Sequence, residues 1–167
     1  MTENGGGKER GLAQLSEAII YLIFDRKYDQ AASMIENSRH SLPDDEGHRL
    51  AALSAVLQND AGNLSDSIDL IRQAQQERPT WLPHLYRLSV YLMDAERWLD
   101  ANTALDELIS LSENEDDKYF LDEARLRKIV CLTALGRKQE IQRQKDKISA
   151  GAAVFIGDRL YRLDDLD

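Results

Sequence analysis

Leu82 to Ser110 reads LPHLYRLSVYLMDAERWLDANTALDELIS, and this stretch decides the fold class. It divides into two helix-like halves, Leu82–Met93 and Trp98–Ser110. In the first, Tyr86, Val90 and Met93 fall at i, i+4 and i+7, one stripe on one helix. In the second, Trp98 is followed three residues later by Ala101, then after four more by Leu105, then after three more by Leu108. A large residue, a small one and two aliphatic ones on one face are the marks of a helix packed closely on a neighbour.

The same arrangement recurs upstream. Tyr28, Ala31, Ile35 and Ser38 occupy the four slots once, and Leu64, Ser67, Ile71 and Ala74 occupy them again. The leading residues Tyr28, Leu64 and Trp98 are 36 and 34 residues apart. Pro43 and Pro79 share a terminal slot that Glu113 fills in the third copy. Helices are predicted over Leu12–Asp25, Tyr28–Ser41, His48–Asp60, Leu64–Gln76, Asp117–Leu135 and Gln139–Ser149, so the chain reads as four helix pairs. Gly62 and Gly136 break two of the pairs, as residues free to adopt positive φ.

This pattern resembles the tetratricopeptide repeat, a helix-turn-helix unit of about 34 residues. Tyr28-Asp29-Gln30-Ala31 and Trp98-Leu99-Asp100-Ala101 carry the likeness most specifically, and it covers roughly residues 12 to 149. The chain departs from the pattern at Ile19 and Ile129, where a small residue is usual and where Ala55 and Ser89 conform. The step from Trp98 to Lys138 is 40 residues and Ile141 replaces a small residue, which marks the fourth pair as a divergent closing pair. The resemblance implies an all-α fold, a right-handed α-solenoid of antiparallel helix pairs over residues 12–149. Residues 1–11, with three consecutive glycines, are expected to form a flexible arm with order starting near Leu12. Residues 150–167 are expected to form a cap: Val154-Phe155-Ile156, a Gly157-Asp158 turn and Arg159–Arg162 read as a short hairpin, with one more helical turn over Leu163–Leu166. A lone hairpin is marginal in water, so it should pack on the last helix pair.

The resemblance also implies that the first helix of each pair lines a concave groove. Carried over position by position, that groove receives Ile20, Ile23 and Phe24 from the first unit and Arg49, Leu53 and Val56 from the second. The third gives Tyr86, Arg87, Val90 and Met93, and the fourth Leu126, Arg127 and Val130. Family members that clamp a C-terminal carboxylate use Lys and Asn at such positions, where this chain has Ser16 and Ile20. The expected groove is therefore apolar with an arginine from each of three units, suited to an amphipathic or apolar segment of another protein. The chain's own arm or a second copy is a further candidate occupant.

Composition bounds the partners. Lys and Arg number 21 against 30 Asp and Glu, a net charge of −9, which argues against nucleic acid or an anionic membrane. Asp44, Asp45, Glu46, Asp66, Asp69, Asp106, Glu107 and Glu113–Asp117 make an acidic outer face that would steer a basic partner. The longest apolar cluster, Ala18–Phe24, is far short of the ~20 residues that span a bilayer. Met1–Gly11 has no apolar core of a signal peptide, so a cytoplasmic location is expected.

Chemistry is scarce. His40, His48 and His84 sit in no metal-ligand spacing, and no metal or cofactor is expected. Glu113–Asp117 lacks the glycine and closing glutamate of a calcium loop. Gly5-Gly6-Gly7-Lys8 lacks the spacing of a phosphate loop. Cys131, the single cysteine, lies in an apolar run and reads as a buried structural thiol. The expected function is thus a non-catalytic protein-binding module, for instance a dedicated chaperone such as a type III secretion chaperone. The alternative is an immunity protein that neutralises a toxin.

Overall fold

The computed structural model describes residues 5–40, 42–114 and 120–166. Among them are eight α-helices and one hairpin. The helices are α1 (Gly5–Phe24), α2 (Tyr28–Arg39), α3 (Gly47–Asp60), α4 (Leu64–Glu77), α5 (Leu82–Asp94), α6 (Trp98–Glu113), α7 (Leu121–Ala134) and α8 (Lys138–Lys145). The strands are β1 (Ala153–Ile156) and β2 (Arg159–Arg162). The chain divides into two compact units, Met1–Glu77 and Arg78–Asp167.

One local device makes all four pairs. At the end of α1, α3, α5 and α7 a single residue turns left-handed: Arg26 (φ 57°), Gly62 (φ 87°), Glu96 (φ 54°) and Gly136 (φ 70°). Each turn is closed by the same two hydrogen bonds. Lys27 N–H donates to the Leu22 carbonyl, and Arg26 N–H to that of Ile23. Asn63 and Gly62 do the same to Gln58 and Asn59, Arg97 and Glu96 to Leu92 and Met93, and Arg137 and Gly136 to Leu132 and Thr133. This is the paired closure that satisfies the last carbonyls of a helix and reverses the chain. The turn residues lie 36, 34 and 40 positions apart, the same intervals the sequence shows.

Packing follows the predicted slots. Ala31, Ser67 and Ala101 are fully buried, as are Ile71, Leu105, Ala74 and Leu108, while Ile35 and Ser38 are 3% and 7% exposed. Ile19, Ala55, Ser89 and Ile129 occupy one first-helix slot and are all buried, so the two larger residues are accommodated in close contact as well. In the first unit α1, α2 and α3 pack on one another and α4 on α3. Their core holds Ile19, Ile23, Ile35, Leu50, Leu53 and Leu57. In the second unit α6 packs on α5 and α7, and α8 on α7. No α8 side chain is buried, in keeping with a divergent closing pair.

The hairpin forms where the sequence places it. Ile156 pairs with Arg159 and Ala153 with Arg162, leaving the two-residue Gly157-Asp158 loop. Val154 enters a core with Leu126, Ile129 and Ile148, so β1 rests on α7. A 3-10 turn over Leu163–Asp165 follows.

Several helix boundaries differ from the sequence expectation. Helix α1 extends back to Gly5, whereas the glycines were expected in an arm up to residue 11. The helix continues from the strongly anchored Leu12–Phe24 segment, and each added turn needs no fresh nucleation. Residues 1–4 of that arm and Glu115–Asp117 of the acidic run lie outside the described residues. The last two helices are also shorter than expected, since α7 starts at Leu121 and α8 ends at Lys145.

Candidate functional site

In the first unit, α1 carries two opposite faces. Leu12, Ile19 and Ile23 turn into the core, at 5%, 0% and 2% exposure. Ile20, Tyr21 and Phe24 turn outward, at 36%, 66% and 77%. These three line one open hollow with Ala13, Ser16, Glu17, Asp25 and, from α3, Arg49. Its volume is about 780 Å³. Contiguous exposed aromatic and aliphatic surface of this kind is a mark of an interaction site. Arg49 Nε lies 2.6 Å from Glu46, which leaves the guanidinium at the rim with only partial exposure.

The structure therefore brings together Ile20, Phe24 and Arg49, three of the expected groove residues. Tyr21 was missed by the sequence reading. Its signal was its place one position beyond Ile20, on the side of α1 away from Ile19 and Ile23. Leu53 is 7% exposed and Val56 is packed on the core, so these groove positions of the second helix pair are structural. Ile23 is core as well.

The expected groove residues of the second unit form a different kind of site. Met93 is 3% exposed and Leu126 fully buried, so both belong to the core rather than to an accessible surface. Val90 and Val130 are half-buried, and Arg87 is exposed. Tyr86 is half-buried and bound internally. Its hydroxyl donates to Glu123 Oε2 at 2.9 Å and accepts from Arg127 Nη2 at 3.3 Å. Its ring stacks on Phe120 at 4.9 Å and lies under the Arg127 guanidinium at 5.3 Å. Arg127 is 7% exposed and also donates to the Phe155 carbonyl at 2.8 Å. It thus ties α5 and α7 to the hairpin. Burial raises the carboxyl of Asp94 above its ordinary value, partly offset by the Arg127 charge. The arginine expected to reach a partner is spent on holding this unit together.

Several of the acids expected on an outer face are likewise engaged. Glu113 accepts from the buried Arg125 at 2.6 Å, and Asp106 accepts from the buried Lys128. The Arg125 guanidinium holds the Glu113 carboxyl below its usual range. Asp66 and Asp69 are exposed.

Burial pushes the Cys131 thiol up to about 12, which removes it from nucleophilic chemistry near neutrality. No group of three or more His, Cys, Asp or Glu among the described residues is placed to hold a metal ion. No helix among them is long and apolar enough to cross a membrane. Fold and site together define a helical-repeat-like bundle of paired helices with one exposed apolar face on its first helix. No known family profile and no curated protein sequence matches this chain.

Proposed function

We propose that the chain is a non-catalytic protein-docking module of the tetratricopeptide type, and that it receives an apolar helical segment on the outward face of α1. The observation that carries this is the exposure of Ile20, Tyr21 and Phe24 side by side, at 36%, 66% and 77%. An aromatic pair in water forgoes the ~25 cal/mol per Å² that burial of apolar area yields, so a partner that covers it is favoured. Ile20 and Phe24 are four residues apart on one helix face, a spacing that helix-in-groove recognition uses. The recurrence of one turn geometry at Arg26, Gly62, Glu96 and Gly136 supports the repeat character.

The test is a photoreactive amino acid placed at position 21, with the same group at exposed Gln76 as a control. Adducts with a protein that form from position 21 and disappear when Phe24→Asp is added support docking on this face. The same adducts from both positions would overturn it.

A further inference from the structure

The face that α1 turns outward has an internal order that selects its occupant. Ala13, Glu17, Ile20 and Phe24 follow one another in steps of four, three and four, the spacing of a helix-helix seam. Leu12, Ile19 and Ile23 lie on the opposite, buried face. The outward seam is also graded in size. Ala13 and Ser16 at its start are small, while Tyr21 and Phe24 at its end are large.

We propose that α1 pairs antiparallel with α1 of a second copy of this chain, about a two-fold axis passing between residues 18 and 19. This rests on the docking reading above and names its partner. In that register opposed residues have numbers that sum to 37. Phe24 meets Ala13 of the second copy, Tyr21 meets Ser16, and Ile20 meets the stem of Glu17. Every large side chain faces a small or flexible one, twice over by symmetry, as an isologous interface requires. A parallel pairing would set Phe24 against Phe24 and Ala13 against Ala13, giving a clash at one end and a void at the other. Glu17 and Asp25 line the hollow together with Arg49, so a second copy brings both signs of charge to it. The net charge of −9 on each chain opposes association over longer distances, and salt screens that repulsion. One helix pair is at the small end of specific interfaces, so the dimer is weak and concentration-dependent.

Sedimentation velocity across about 1 µM to about 1 mM covers the affinities of such an interface. The weight-average mass is expected to rise from 19.0 kDa towards twice that value, and to do so more readily at raised salt. Tyr21→Glu should weaken association by at least about tenfold. Ala13→Phe alone, which opposes two phenylalanines, should weaken it too, and Ala13→Phe combined with Phe24→Ala should restore it. All three sites are exposed, and circular dichroism checks that each variant is folded. A monomer at every concentration refutes the pairing, as does a dimer indifferent to Tyr21→Glu. A dimer that Ala13→Phe leaves intact refutes the register. If the chain stays monomeric while a group at position 21 still captures another protein, the pairing falls and the docking reading stands. If nothing is captured at position 21 either, both fall.

Discussion

Replacing Met93 with alanine separates a core residue from a surface one that shares its helical spacing. Met93 is 3% exposed at the end of α5, so truncation removes Cγ, Sδ and Cε from a packed interior. At about 0.8 kcal/mol per buried methylene equivalent, the transfer loss alone is about 2 kcal/mol. The cavity left behind adds to this, within the ~2–5 kcal/mol range of Met-to-Ala changes. The second unit spans Arg78–Asp167, a size at which each kcal/mol moves the melting temperature by roughly 4–8 °C. The transfer loss alone therefore lowers Tm by about 8–16 °C. Tyr21→Ala, at a residue 66% exposed, should change stability by no more than about 0.5 kcal/mol. Differential scanning calorimetry of the two variants beside the parent protein reads both numbers. A Met93→Ala melt within about 2 °C of the parent would refute the core placement. An equally large drop for Tyr21→Ala would refute the exposed face on α1.

Three other outcomes are expected. Arg26 and Glu96 hold a left-handed backbone that costs an L-residue about 1–2 kcal/mol, whereas Gly62 and Gly136 meet the same need without a side chain. Arg26→Gly and Glu96→Gly should then each raise stability in urea titration, by less than that cost because glycine also loosens the unfolded chain; a fall in midpoint would sink the turn argument. Cys131, fully buried with its thiol pushed up to about 12, should stay unmodified by a thiol reagent at pH 8 in the folded protein and react completely in denaturant. Glu113 has a folded pKa lowered by Arg125, so its stabilisation is present above the ordinary 4.5 and is lost as pH falls through the lowered value. Glu113→Gln should accordingly lower Tm at pH 7, with the gap to the parent closing towards pH 3, and a gap that persists in acid would refute the pair's contribution.

Much of the fold was legible from residues one to ten positions apart. Helix periodicity placed Trp98, Ala101, Leu105 and Leu108 on one buried face, and the 36- and 34-residue intervals reproduced that face upstream. The Gly157-Asp158 turn marked the hairpin because a two-residue reversal demands a glycine-rich pair. Arg26 and Glu96 were not legible as turn residues, since arginine and glutamate are ordinary helix formers. Their left-handed backbone is set by the closure bonds that two packed helices impose.

The candidate site was legible only in part, and the reason is which face of each helix finds a neighbour. Periodicity marks an apolar stripe but does not say what covers it. Tyr86, Val90 and Met93 form such a stripe, as do Ile20 and Phe24. Met93 is covered by its own unit, and Tyr86, half-buried, is held by Glu123, Arg127 and Phe120, so that stripe is largely engaged within the unit. Phe24 and Tyr21 have no such cover and remain at the surface. The sequence by itself determined that the chain is helical and at what intervals its helix pairs recur, because those follow from local backbone and side-chain preferences. The tertiary structure alone decided which apolar face was left over, because that depends on contacts among residues up to 41 positions apart, as between Tyr86 and Arg127.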